Sequence, residues 1–263
     1  MFFSKNTANK YKDNSYLLTN IVFGFFPISF ILGNFIVNLN IILFCCLGIF
    51  YLRSKVIFDK FNFPIKIISL FFFTIIFSTA ISSIKVFYFE GYNYSELLRF
   101  AKSIFFLRFL LLLAIIYLLN KHNLLNYKYF FIIAGFSALI ISLDVIYQYA
   151  FGANIIGLKS NGYINSGFFG EELIAGGYIQ KFGFFSILLS TLFLENKKYF
   201  KFILTIGVIC ILAFGIIVSG NRMPLILFMF GISLMFFLKL KLKNILLLSF
   251  LIILLFLKFF LTS

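Results

Sequence analysis

Acidic side chains are scarce in this chain. Asp and Glu together number 8 against 23 Lys and Arg, with a single His, no Trp and three Cys in 263 residues. Cys45, Cys46 and Cys210 all fall inside apolar runs, and with one His for company their spacing builds neither a metal site nor a disulfide framework, so they read as small core residues. His122, in "NKHNLL", reads as a solvated loop residue and not as a catalytic base. No A-x-A cleavage site follows the first apolar run, so the basic N-terminus leads into a retained helix and not a signal peptide. Short repeats and heptads are also missing, which excludes solenoids and coiled coils.

What is present is apolar. The chain is 62% hydrophobic and 22% aromatic, far from a soluble domain. The expected fold is all-α: a polytopic transmembrane helical bundle forming one domain over 1–263. At about 20 residues per crossing, nine spans are expected. They lie near 17–36, 38–52, 65–84, 103–119, 128–150, 172–194, 201–219, 223–238 and 244–261, with a hairpin turn at "VNLN" between the first two.

The cations sort by side. Lys5, Lys10 and Lys12 precede the first span; Arg53, Lys55, Lys60 and Lys66 fill the second gap; Lys121 and Lys128 fill the fourth. Lys197, Lys198 and Lys201 fill the sixth gap, and Lys239, Lys241 and Lys243 the eighth. Alternate connections rich in Lys and Arg are the mark of cytoplasmic loops, so the N-terminus is expected inside. The basic charge is thereby accounted for by topology, and no nucleic-acid partner is expected. The loops 85–102 and 151–171 and the "SGNR" turn at 219–222 fall on the outer side.

Polar groups near the outer ends of spans are the candidates for function, because each is costly in lipid unless it faces protein, water or a ligand. Besides Arg108 in the fourth span, they are Asp144, Gln148, Glu171, Glu172, Lys181, Asn221 and Arg222. Asp144 and Gln148, four apart, share a helix face and serve either as a buried tie between helices or as ligand groups. Glu171 and Glu172, in "SGFFGEELIAGG", open a helix where carboxylates suit the positive dipole end, or else face a site. Lys181 lies deeper in the same helix and needs an anion, for which Asp144 on the preceding helix is the expected partner. Arg222 is held at the outer boundary by the tight turn before Pro224, and its planar fork of donors suits pyrophosphate or lipid headgroup oxygens.

Three stretches, "LDVIYQYAFGANIIG" (143–157), "SGFFGEELIAGGYIQKF" (166–182) and "VSGNRMPLILF" (218–228), resemble in order and spacing the O-antigen ligase and O-antigen polymerase superfamily of envelope glycan assembly. The resemblance covers about 140–230. It implies a metal-independent, cofactor-free, inverting glycosyltransferase of the C type that moves a glycan from undecaprenyl pyrophosphate to lipid A core or to a glycan acceptor, as in lipopolysaccharide biosynthesis. It also implies that Arg222 matches the family's pyrophosphate-binding S-G-x-R turn, and that Lys181 stands where relatives often carry a basic residue. The family's large outer loop, with its catalytic His, would lie beyond residue 263, so the chain is expected to be an N-terminal portion of a longer protein. The alternatives are a multi-pass transporter or flippase-like protein, with Asp144, Lys181 and the glutamates along a path, and an inactive fragment.

Overall fold

The computed structural model describes residues 16–52, 62–90, 94–160, 164–170, 172–193 and 198–239. Among them the chain is all-helical, with no β-strand. Four segments, Asn34–Leu52, Phe63–Val86, Leu98–Lys121 and Tyr127–Phe151, are long and apolar enough to cross a membrane, and Phe202–Val218 and Arg222–Met235 are shorter apolar helices. These are the helices of a membrane protein.

The described residues form two units, one of residues up to Phe30 with Asn34–Tyr129, the other of Ile31–Gly33 with residues from Phe130 on. The first unit opens with α1 (Leu17–Gly24), α2 (Phe26–Leu32) and α3 (Asn34–Leu52). Pro27 has no N–H for the carbonyl four residues back, which accounts for the joint at Phe25. Ring contacts pair Tyr16 with Tyr51 and Phe23 with Phe44, so the helical arms of this hairpin run antiparallel and reverse midway, at Gly33. Gly33 has φ +102°, a conformation open to glycine. The expected turn at "VNLN" is therefore displaced: residues 37–40 lie inside α3. Asparagines cost a helix only a few tenths of a kcal/mol more than its better residues, whereas a positive-φ glycine stops it.

A second correction concerns the outer loop expected at 85–102. Its described residues, 85–90 and 94–102, are helical, in the end of α4 (Phe63–Glu90) and in α5 (Tyr94–Phe105). α5 turns back on α4, where Thr79 Oγ1 donates to Ser103 Oγ at 2.8 Å. A break at Phe106 leads into α6 (Leu107–Lys121), and the segment long and apolar enough to cross a membrane runs from Leu98 to Lys121, starting before the expected 103. α6 packs closely on α3: a Cβ at Gly48 would collide with Ile115. Small residues at such crossings let apolar helices approach in lipid. Asn20 on α1 then clasps the α6–α7 connection, accepting from Asn126 N at 2.6 Å and donating to Leu124 O at 3.3 Å.

The second unit contains most of α7 (Tyr127–Phe151), a 3-10 turn at Gly167–Phe169, and α8 (Ala175–Phe193), α9 (Lys198–Val218) and α10 (Arg222–Lys239). Its core joins Ile141 and Val145 of α7 to Ile179, Leu212, Ile216 and Phe228. Glycines again mark the crossings, Gly135 against Leu189, Gly215 against Ser142 and Gly231 against Phe184. Hydroxyls add ties: Ser186 Oγ donates to Gly135 O at 2.6 Å and Ser142 Oγ to Ile211 O at 2.8 Å. The ninth expected span, 244–261, lies outside the described residues.

Candidate functional site

The C-terminal end of α7 carries two polar residues on one face. Asp144 and Gln148 are both fully buried, at 0% exposure. Gly152, at φ +78°, ends the helix, and its N–H returns to Gln148 O at 2.8 Å. The chain then folds back in a tight loop closed by Ser160 N donating to Gly152 O and Asn154 N to Leu158 O, both at 2.9 Å.

Asn154 is the hub of this loop. Its Oδ1 accepts from Leu158 N at 2.7 Å and Ile156 N at 3.1 Å, while its Nδ2 donates to Gly167 O at 3.0 Å and Asp144 Oδ2 at 3.4 Å. Asp144 Oδ1 accepts from Ile155 N at 3.3 Å. Gln148 bridges in the same manner, taking Gly167 N on its Oε1 at 2.8 Å and giving Nε2 to Leu158 O at 3.1 Å. Gly167 has φ +57°, and a Cβ there would sit 3.0 Å from Asp144 Oδ2 and 2.9 Å from Val145 Cγ2. Only a glycine permits that approach.

The later stretches are bonded to the same end of the unit. Asn165 Nδ2 donates to Val218 O at 2.8 Å, tying the segment before the 3-10 turn to the end of α9. Ser166 Oγ donates to Gly170 O. Asn221 Nδ2 donates to Leu173 O at 2.9 Å, and Gly176 lies so close to Ser219 that a Cβ would collide with the hydroxyl. Gly220, at φ +77°, makes the turn. The N-termini of α8 and α10 are thereby held side by side with Arg222 as the first residue of α10, exposed. Two helix N-termini and a guanidinium make this end attractive to an anion.

The structure thus brings Asp144, Gln148, Asn221 and Arg222 to one end of the unit. Glu172 is exposed on the lead into α8, its N–H bonded to Phe169 O at 3.1 Å. Glu171 lies outside the described residues. Arg108 belongs to the first unit, its guanidinium 4.8 Å from the Phe109 ring centroid.

The expected ion pair between Lys181 and Asp144 is not made. Tyr178 OH donates to Ser137 Oγ at 2.8 Å and the Phe185 and Phe131 rings meet edge to face, which fixes an antiparallel register of α7 and α8. Three residues beyond Tyr178, Lys181 falls level with residue 134, about 15 Å along the axis from Asp144 at 1.5 Å per residue. Its side chain is exposed, whereas the Asp144 carboxylate is spent on the loop.

Sequence reasoning passed over Asn154 and Asn165. The available signal was position: Asn154 sits between Gly152 and Gly157 just after a helix end bearing Asp and Gln, where a side-chain amide takes the place of missing backbone bonds. Among the described residues no cluster of His, Cys, Asp or Glu has the makings of a metal site. Set against protein-family models, curated proteins and solved structures, the chain has no match in any of the three.

Proposed function

We propose that this chain forms the donor side of a lipid-linked glycan transferase of the O-antigen ligase or polymerase type, set in a bacterial inner membrane with its N-terminus cytoplasmic. The observation that supports this reading is convergence. The three stretches that resemble the superfamily are hydrogen-bonded at one end of the second unit, the first to the second through Gln148 with Gly167 and the second to the third through Leu173 with Asn221.

In this reading an undecaprenyl-pyrophosphate-linked glycan lies with its pyrophosphate against Arg222 and the N-termini of α8 and α10. The hydroxyl of a lipid A core or glycan acceptor attacks the anomeric carbon and gives its proton to a base, which the resemblance puts in the family's outer loop, while the bond to the pyrophosphate oxygen breaks, the pyrophosphate leaves with that electron pair, and the configuration inverts. Charge grows on the leaving pyrophosphate in the transition state, and a fixed guanidinium with oriented backbone N–H groups stabilises it there. Asp144 and Gln148 act as positioning residues: both are fully buried and committed to the loop, so they shape the site without touching the donor. Glu172, and Glu171 beside it in sequence, orient sugar hydroxyls or cationic groups instead of the anion.

Loss of one charge-assisted contact to a phosphate removes about 1.5–3 kcal/mol, roughly tenfold to a hundredfold in affinity. Arg222→Ala protein in nanodiscs should therefore bind undecaprenyl-pyrophosphate-linked oligosaccharide about that much more weakly, by titration with labelled donor. A folded variant with unchanged affinity would overturn the assignment of Arg222.

A further inference from the structure

The loop after α7 does not stand away from the bundle. Ile155 N is bonded to the carboxylate of Asp144, which lies seven residues before the end of α7, about 10 Å back along the helix at 1.5 Å per residue. α7 has 25 residues, about 37 Å of helix against a hydrocarbon layer of about 30 Å, so the level of Asp144 is inside that layer when α7 crosses it. Non-helical backbone survives at such depth only where protein groups satisfy it. Here they do: the N–H groups of Ile155, Ile156, Leu158 and Gly167 are taken by Asp144, Asn154 and Gln148.

The tip of this loop is apolar and uncovered. Ile155 and Ile156 are 70% and 69% exposed, although the N–H groups of both are bonded to the buried side chains of Asp144 and Asn154. On α7 itself Phe136, Ile140, Leu143 and Tyr147 form an exposed stripe at helical spacing, the face that a crossing helix turns to lipid. The stripe ends at Phe151, stacked on Tyr147, and the loop begins one residue later.

We infer that residues 152–160 form a re-entrant loop whose Ile155–Ile156 tip rests among the acyl chains of the leaflet at the site end of α7, and that the buried trio Asp144, Gln148 and Asn154 is there to make this possible. The inference rests on α7 crossing the bilayer and is independent of the glycan reading.

The absence of tryptophan from the whole chain supplies the test. Ile156→Trp and, separately, Ile155→Trp introduce a single fluorophore at an exposed position where no packing is disturbed. Each protein is reconstituted in phosphatidylcholine vesicles containing lipids brominated on the acyl chain or spin-labelled on the headgroup. The expected result is blue-shifted emission, strong quenching by the acyl bromines, weaker quenching by the headgroup label and little by aqueous acrylamide, matching an Ile140→Trp reference on the α7 stripe. Red-shifted emission quenched by acrylamide overturns the inference in favour of a water-exposed loop. Emission quenched by neither agent overturns it too, since the tip would then be covered by protein.

Discussion

The two units are held together by different means. In the first, contacts are mostly between rings and aliphatic chains, Phe23 with Phe44 and Gly48 against Ile115, and the long-range polar bonds described are Asn20 on the α6–α7 connection and Thr79 with Ser103. In the second, the middle packs apolar side chains with a few hydroxyl ties, but one end is a dense web of side-chain to backbone bonds centred on Asn154, Gln148 and Gly167. Apolar packing gains little specificity from lipid, which is as apolar as the side chains, so buried polar bonds carry much of the choice of one geometry. Their concentration at one end of one unit is what distinguishes a site from a scaffold. Asp144 stands where a carboxylate's two strong acceptor oxygens serve both Ile155 N and Asn154 Nδ2.

The most direct way to break the contrast is Asn154→Leu. It leaves the N–H groups of Ile156 and Leu158 and the carbonyl of Gly167 without partners, at about 1–3 kcal/mol for each buried group left unpaired. The expected loss is about 3–6 kcal/mol of local stability, seen as faster amide hydrogen exchange across 152–160 and 164–170 with the first unit unchanged. Exchange that rises uniformly through both units would mean the web is not a separate element.

Asn20→Ala is the matching probe of the first unit. It removes the clasp on Asn126 N and Leu124 O, and about 1–2 kcal/mol is expected, read as protection lost at the connection 122–126 while the site end keeps its own. A cost equal to that of Asn154→Leu would erase the distinction between web and single clasp.

Lys181→Met should do least. Because this exposed side chain does not reach Asp144, the change in unfolding free energy is expected within about 0.5 kcal/mol. A destabilisation of several kcal/mol, comparable with breaking a buried ion pair, would restore the Asp144 pairing.

Much of the architecture was legible in one dimension. Long apolar runs can satisfy their backbone in lipid only as helices, so the apolar helices that contain 65–84 and 128–150 follow from composition and length alone. The positions of turns were less legible: "VNLN" resembles a turn by polarity, but the structure places it within α3, because Gly33 alone adopts the required backbone angle. The polar candidates near residues 144–148 and 221–222 could be picked out because each is costly in an apolar chain. Their partners could not.

Sequence by itself determined that this protein is a set of apolar helices with its rare polar groups gathered beside a few glycine-marked turns. That much depends on local physics, on what one residue and its near neighbours cost in lipid. Only the tertiary structure decided that Lys181 lies about 15 Å from Asp144 along the helix axis, that Asn154 is the hub and that Gly167 sits against the carboxylate. Those are questions of register between elements, set by where Gly135, Gly176 and Gly215 let backbones meet, and no single residue encodes them.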